Sequence, residues 1–242
     1  MIPKIIHYCW FGGKNLPPLA RKCIESWKKH LPDYEIVEWN EKNFDVNQFE
    51  YTRDAYAAGK YAFVSDMARL FILSKYGGIY FDTDVEVIKP FGEIFQNGGY
   101  LGIESFENGF RINPGLGFAC SPQSQIISGI FDIYTKLKFD LSKMKECNIV
   151  SITTDFLLRK GCLQINKIQF VNDIYIYPKD FFNPCDMDSG RIQITKNTRS
   201  IHHFSGSWVD KKSLIRGKIY CALNRFFGKR AADGVRKIFG RK

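Results

Sequence analysis

Residues 75–84 read KYGGIYFDTD and combine a helix stop, a short apolar strand and a pair of acids. Gly77 and Gly78 favour the left-handed backbone at which helices end. Residues 79–81 are apolar and predict a short buried strand. Asp82 and Asp84 follow that strand directly, at the end where open α/β sheets bind ligands. The stretch therefore predicts a helix, a strand and a ligand-binding edge, in that order.

Asp82 and Asp84 are spaced i, i+2, which on extended chain places both carboxylates on the same side. Carboxylates this close repel each other unless a cation lies near them. A hard divalent ion such as Mg²⁺ or Mn²⁺ prefers oxygen ligands and also binds phosphate oxygens. The pair therefore indicates a divalent-metal site, although an isolated D-x-D is more often two solvated loop acids.

Strand-like and helix-like segments alternate on both sides of this stretch. The alternation predicts an α/β fold with a mainly parallel sheet flanked by helices, in one domain spanning residues 1–210. Helices are predicted at residues 17–30, 51–58, 61–76 and 123–138. Strands are predicted at residues 4–10, 35–39, 79–81, 85–88, 99–104, 115–119, 168–171 and 201–204.

The composition is that of an ordinary globular protein, with 45% hydrophobic and 25% charged residues, so a full-sized core is expected. The seven cysteines are scattered and form no C-x-x-C pair, which disfavours a disulfide framework and a structural zinc site. The first residues are apolar over too short a stretch for a signal peptide, and no apolar run is long enough to span a bilayer. We therefore expect a cytoplasmic protein.

The net charge of +10 is concentrated in the tail. Residues 211–242 contain eleven Lys and Arg against one acid, so residues 1–210 are neutral overall. An apolar stripe at helical spacing accompanies these charges, formed by Ile215, Ile219, Leu223, Phe226 and Phe227. The tail therefore predicts a basic amphipathic helix that binds an anionic membrane surface. A C-terminal helix docked on the domain is the alternative.

Several motifs together resemble glycosyltransferase family 32, which includes bacterial capsular-polysaccharide glycosyltransferases. Residues 65–69 read SDMAR and residues 76–85 read YGGIYFDTDV, and both are similar to the family's sugar-binding segment. Residues 2–13, IPKIIHYCWFGG, resemble its first strand, and residues 201–208, IHHFSGSW, resemble its C-terminal loop. The resemblance implies a GT-A fold, a nucleotide-sugar donor and a divalent metal, Mn²⁺ or Mg²⁺.

The resemblance also implies which residues bind the donor. Carried over by position, Trp10 stacks on the base and Asn40 helps to hold the nucleoside. Asp66 and Arg69 bind the hydroxyls of the donor sugar. An aromatic face suits a planar base, and carboxylate and guanidinium groups are strong partners for hydroxyls. A core aromatic on a buried strand is the alternative for Trp10.

For the metal, the resemblance implies that Asp84 is the firmest ligand and that Asp82 faces the ribose and sugar as well. A neutral imidazole is a good third ligand for Mn²⁺, and residues 202 and 203 are both histidines. We expect His202 rather than His203 to face the metal, because similar folds place their histidine directly after the last strand. The residue types alone leave both open.

The C-terminal loop and the middle of the chain offer further candidates. Ser207 and Trp208 have a hydroxyl and an indole N–H that suit a diphosphate leaving group. Residues 113–115 read NPG, a tight turn that either lines the acceptor side or serves only the fold. Asp155 is a second acceptor-side candidate.

The resemblance implies a retaining hexosyltransferase, with UDP-hexose favoured as the donor and GDP-mannose next. The basic tail fits a lipid-linked oligosaccharide acceptor, as in surface-polysaccharide synthesis at the inner face of a bacterial plasma membrane. A nucleic-acid-binding module is the main alternative, prompted by the pI of 9.2; the neutrality of residues 1–210 opposes it. A metal-dependent nucleotidyltransferase also uses paired carboxylates, but the sequence lacks its Gly-rich phosphate loop.

Overall fold

The computed structural model describes residues 1–106, 109–143, 148–186, 189–206, 211–228 and 233–234. Its helices are α1 (Pro18–His30), α2 (Glu50–Ala57), α3 (Tyr61–Tyr76), α4 (Glu93–Asn97), α5 (Gln125–Tyr134), α6 (Ile149–Arg159), α7 (Lys179–Phe182) and α8 (Lys211–Phe227). Its strands are β1 (Ile5–Cys9), β2 (Glu35–Trp39), β3 (Gly78–Tyr80), β4 (Val85–Val87), β5 (Gly99–Ser105), β6 (Arg111–Ile112), β7 (Phe118–Cys120), β8 (Gln169–Val171), β9 (Ile174–Tyr177) and β10 (Ser200–His202).

The main sheet has the strand order β2-β1-β3-β7-β5-β9-β8, with β6 paired to β5. β1 is parallel to β2 and β3, β7 is antiparallel to β3 and β5, and β9 is parallel to β5. Strands β2, β1, β3, β5 and β9 therefore run in one direction, which confirms the predicted mainly parallel α/β sheet. β2 pairs with one side of β1, and β3, which comes later in the chain, pairs with the other side. This change of direction opens a crevice at the carboxyl ends of the three strands.

Both faces of the sheet are covered by helices. Alternate residues of β3 enter different cores, because side chains alternate across a strand: Tyr80 joins the residues of α2, α3 and α5, whereas Ile79 joins Trp27 of α1. The buried Trp27 indole also donates a hydrogen bond to the Val85 carbonyl at 2.7 Å. This contact fixes α1 against β4.

Helix α3 positions the segment that follows it. It packs on β1 and β3, with Val64, Met67 and Leu70 fully buried. The helix ends at Gly77, whose φ is +64°, and a Cβ there would lie 2.6 Å from Pro122. Only glycine tolerates both that backbone and that contact. The prediction of a helix over 61–76 that a glycine terminates is confirmed.

Several predicted elements differ from the structure. The strand predicted at 115–119 begins only at Phe118, because residues 114–116 form one 3₁₀ turn. Asn113 stabilises that turn by accepting a hydrogen bond from Gly115 N at 2.6 Å. Helices α4, α6 and α7 and strands β6 and β9 were not predicted from the sequence.

A second, two-stranded sheet pairs β4 with β10 in antiparallel orientation, with His202 opposite Val85. It brings residues 200–202 beside the residues that follow β3. Among the described residues, no helix is both long enough and apolar enough to cross a bilayer. The domain boundary predicted at 210 falls among residues 207–210, which lie outside the described ranges.

Candidate active site

Asp82, Asp84 and His202 meet at the carboxyl end of β3. His202 Nε2 lies 3.2 Å from Asp84 Oδ1 and 3.9 Å from Asp82 Oδ2. One ligand atom from each of the three lies within 4.8 Å of the other two. Two carboxylates and an imidazole are a donor set that suits Mn²⁺ or Mg²⁺.

The two carboxylates converge through a turn rather than through the extended chain predicted from their spacing. Val85 N donates to the Asp82 carbonyl at 3.0 Å and closes the turn. Asp84 is then held from the other side of the site: its Oδ2 accepts from Ser205 N at 2.7 Å, and its carbonyl accepts from His203 N at 3.0 Å. The pairing of β4 with β10 therefore sets the position of Asp84.

Arg69 lies beneath the cluster and orients Asp82. Its Nη2 is 3.0 Å from Asp82 Oδ1 and 3.0 Å from Asp66 Oδ1, and its Nη1 is 3.4 Å from Asp82 Oδ2. Its Nε donates to the Ser65 carbonyl at 3.2 Å, and the guanidinium lies 4.7 Å from the centre of the Tyr80 ring. Burial opposes ionisation of Asp82, but Arg69 and then His202 hold its pKa below the ordinary value.

Asp66 responds differently to the same arginine. Burial raises its pKa to about 7, with Arg69 opposing and Asp82 adding to the shift. One arginine therefore faces two carboxylates, and Asp82 is the one it keeps ionised. Two buried carboxylates whose pKa values are driven apart are typical of functional sites.

The two histidines point in opposite directions, as adjacent residues at a strand end do. Burial disfavours the charged imidazole of His202, but Asp82 and Asp84 raise its pKa overall. His203 Nε2 instead lies 2.8 Å from Glu86 Oε2, and Lys22 binds the same carboxylate at 2.9 Å. Of the two histidines considered from the sequence, His202 is the one that joins the aspartates.

His202 also contacts Phe204. Its Nδ1 accepts a hydrogen bond from Phe204 N at 3.2 Å, and the two rings meet edge-on with centroids 4.2 Å apart. With Nδ1 acting as acceptor, Nε2 carries the proton that faces Asp84. A cation bound at Nε2 would require the ring proton to lie on Nδ1 instead, which would break the hydrogen bond from Phe204 N.

Trp10 and Asn40 follow β1 and β2 at the same edge of the sheet as Asp82. Trp10 is half-buried, and its indole N–H donates to the Lys14 carbonyl. The Asn40 amide is engaged at both ends, since Nδ2 donates to Glu38 Oε1 at 2.8 Å and Oδ1 accepts from Lys42 N at 2.9 Å. Ser207 and Trp208 lie outside the described residues.

The structure places the 113–115 turn, an acceptor-side candidate from the sequence, beside Asp82, and it adds Glu104, which the sequence did not indicate. A Cβ on Gly115 would lie 2.6 Å from Asp82 Oδ2, so the 113–115 turn forms a wall of the carboxylate pocket. Glu104 lies near the end of β5, where His202 and the Asn113 side chain both oppose the rise in its pKa that burial causes. Asp155 is exposed on α6. A charged residue at the carboxyl end of an otherwise buried strand was the available signal for Glu104.

Comparisons with known proteins show that parts of this chain are similar to glycosyltransferases. Residues 17–100 match the family of glycosyltransferase sugar-binding regions containing a DXD motif. An uncharacterized glycosyltransferase of Acanthamoeba polyphaga mimivirus is 29% identical over 197 residues, which cover 77% of this chain and 75% of that protein. Inositol phosphoceramide mannosyltransferase 3 of Schizosaccharomyces pombe is 35% identical over 91 residues, which cover 35% of this chain and 24% of that protein.

Among solved structures, a glycosyltransferase involved in glycosylation of the major capsid of PBCV-1 is similar, with a TM-score of 0.46 and 15% identity. The alignment covers 84% of this chain and 95% of that one. The matched family region includes Arg69, Asp82 and Asp84, whereas Trp10 and His202 lie outside it.

Proposed function

We propose that this chain, whose residues 17–100 match glycosyltransferase sugar-binding regions containing a DXD motif, transfers a hexose from a nucleotide sugar to a glycan acceptor. UDP-hexose is the favoured donor and GDP-mannose the next, with retention of the anomeric configuration. The observation that carries the proposal is the convergence of Asp82, Asp84 and His202 beside Arg69.

Asp82, Asp84 and His202 are the residues that would hold a divalent cation. Their carboxylate oxygens suit Mn²⁺ and Mg²⁺, and the imidazole nitrogen favours Mn²⁺ of the two. When bound there, such a cation neutralises the charge that develops on the departing diphosphate.

The chain's own side chains hold the donor in a fixed orientation. Arg69 fixes the Asp82 carboxylate through both terminal nitrogens, and Ser205 N fixes Asp84. Asp66 offers its carboxyl to a sugar hydroxyl, and Trp10 offers an aromatic face to the base at the carboxyl end of β1. Groups fixed in this way lose little freedom when the donor binds, which is how oriented sites lower reaction barriers.

In the proposed reaction, the acceptor oxygen forms a bond to the anomeric carbon while the bond from that carbon to the diphosphate breaks. The diphosphate takes the electron pair, and the acceptor's hydroxyl proton passes to it. Attack from the face that the diphosphate leaves accounts for retention without a covalent intermediate.

A panel of nucleotide sugars tests this function. The protein is incubated with UDP-glucose, UDP-galactose, UDP-N-acetylglucosamine and GDP-mannose, each with Mn²⁺ and each with EDTA. We expect one donor to raise the melting temperature and to be hydrolysed slowly, and both effects to disappear with EDTA. Absence of any metal-dependent effect across the panel would overturn the proposal.

A lipid-linked acceptor at a membrane surface is the second part of the proposed function. The stripe of α8 includes Ile215, Ile219, Phe226 and Phe227, all exposed, with Phe226 at 76% and Phe227 at 72%. Arg191 Nη2 donates to the Arg225 carbonyl at 3.3 Å, so the loop carrying the exposed Ile192 and Ile194 lies beside this helix. Exposed apolar side chains among basic residues suit an anionic bilayer surface. The inositol phosphoceramide in the name of the yeast relative is itself a lipid.

Vesicle sedimentation tests the membrane interaction. We expect the full chain to co-sediment with vesicles of phosphatidylcholine and phosphatidylglycerol, and less strongly at high salt because surface charge is screened. Phe226→Ser with Phe227→Ser keeps every charge and should weaken binding about a hundredfold or more, since the two phenylalanines together contribute roughly 3–6 kcal/mol when fully transferred. Unchanged sedimentation after deletion of residues 211–242 would rule out the tail as the membrane contact.

A further inference from the structure

Glu104 belongs neither to the D-x-D motif nor to the cluster of Asp82, Asp84 and His202. It is the penultimate residue of β5, which runs in the same direction as β3 with β7 between them. The carboxyl ends of β3 and β5 therefore share one edge, about 10 Å apart at the usual spacing of neighbouring strands. Trp10 and Asn40 lie at the opposite side of Asp82, after β1 and β2.

Backbone contacts place Glu104 beside the cluster. The Asn113 N–H donates to the Gly102 carbonyl at 3.1 Å, which holds Asn113 against the end of β5. Asn113 Oδ1 accepts from Gly115 N at 2.6 Å, and Gly115 lies against Asp82. The Glu104 carbonyl accepts from the fully buried Asn183 Nδ2 at 2.9 Å, which fixes the backbone. Glu104 is thus tied to Asp82 through one continuous wall.

This carboxylate is half-buried, and none of the ion pairs among the described residues includes it. A partly desolvated carboxylate is costly unless donors surround it. Burial accordingly raises the pKa of Glu104, with His202 and Arg111 opposing the shift. Sugar hydroxyls are the chemistry that would supply such donors.

The order of strands along the sheet matches the order of groups along a nucleotide sugar. The nucleoside belongs with β1 and β2, the diphosphate with the cluster after β3, and the hexose then extends toward β5. We propose that Glu104 binds a hydroxyl of the transferred hexose. This inference rests on the proposed function, because it takes the donor to be a nucleotide sugar held at the cluster.

Paired affinities test the assignment, since a nucleoside diphosphate is the same ligand without the hexose. Dissociation constants are measured with Mn²⁺ for UDP-glucose against UDP, and for GDP-mannose against GDP. We expect Glu104→Ala to weaken the preferred nucleotide sugar about tenfold or more, as for loss of a hydrogen bond to a charged group. The matching nucleoside diphosphate should bind as in the wild type, which also shows that the variant is folded.

Glu104→Gln and Glu35→Ala serve as comparison variants. Gln keeps hydrogen-bonding groups but removes the charge, so we expect a loss smaller than that of Ala. Glu35 is exposed at the start of β2, on the opposite edge of the sheet, and its removal should change neither affinity. Equal losses for nucleotide sugar and nucleoside diphosphate, or no loss for either, would overturn the role of Glu104. Failure of the wild type to bind any of the four ligands would instead overturn the proposed function.

Discussion

Asp84→Asn should lower the rate of sugar transfer about a thousandfold or more while the protein stays folded. Asn keeps an oxygen that can accept from Ser205 N, so the local backbone contact survives. It removes the charge that a divalent cation requires, and with it several kcal/mol of leaving-group stabilisation. The measurement is transfer or hydrolysis of the donor identified by the nucleotide-sugar panel, together with its Mn²⁺-dependent thermal shift.

Asp33→Asn is the matched control for this variant. Asp33 is 77% exposed and pairs only with Lys4 at 3.9 Å, so its neutralisation should leave activity and metal response unchanged. The same assay also separates the two histidines: His202→Ala should weaken the Mn²⁺ response at least tenfold, whereas His203→Ala should preserve it. An Asp84→Asn protein with wild-type activity would remove Asp84 from the metal site.

Arg69→Met should destabilise the protein by about 3–5 kcal/mol, because it leaves two carboxylates without their shared cation in a buried place. Arg69 is 5% exposed on its side chain and binds both Asp66 and Asp82. Methionine keeps much of the arginine's volume, so the change in unfolding free energy reports the loss of the charge and not the creation of a cavity. Urea unfolding of wild type and variant gives the difference in free energy.

The pH dependence of the unfolding free energy tests whether the two carboxylates cause the loss of stability. Without Arg69, the largest influence that opposes burial is lost, so the folded-state pKa of Asp66 rises further above its unfolded value and that of Asp82 rises as well. Groups shifted in this direction bind protons more tightly in the folded state, and stability falls as pH increases through the folded pKa. Asp66 already has a pKa of about 7 with Arg69 present. The loss of unfolding free energy in Arg69→Met, relative to the wild type, should therefore be larger at pH 8 than at pH 5.

Arg53→Met provides the comparison. Arg53 forms an exposed pair with Asp54 at 2.9 Å and is 53% exposed, and such pairs contribute at most about 1 kcal/mol. The role given to the buried arginine would be contradicted by either of two results. Arg69→Met could lose no more unfolding free energy than Arg53→Met, or its loss could be the same at every pH.

The N-terminal part of the fold could be predicted because its sequence is punctuated by glycine and proline. Helix α3 ends where Gly77 predicts, and β2 occupies the predicted residues. Helix α6 was missed because its first residues, IVSITT, are mostly β-branched and favour strands. It is nevertheless helical, since Asn148 Oδ1 caps Ser151 N at 3.0 Å and the buried Leu157 packs in the core. Tertiary packing overrides local propensity at such a segment.

The candidate site also contains residues that the sequence indicates directly and residues whose position only the fold determines. Asp82, Asp84, Asp66 and Arg69 lie within one short stretch, so motif and spacing indicate them directly. The 113–115 turn is a candidate from its residue types, but its place beside Asp82, like that of Glu104, depends on β5 and β7 lying beside β3, a pairing that no local pattern specifies. The convergence of the aspartates also has a different origin from the one predicted, because a turn and the pairing with β10 produce it.

The pairing of β4 with β10 has a consequence for the order in which the protein matures. Asp84 and Ser205 are 121 residues apart along the chain, yet they are joined by a direct hydrogen bond. During synthesis the two aspartates leave the ribosome long before His202, so Asp82, Asp84 and His202 can meet only after β10 has been made. A chain that stops before β10 therefore cannot assemble this cluster.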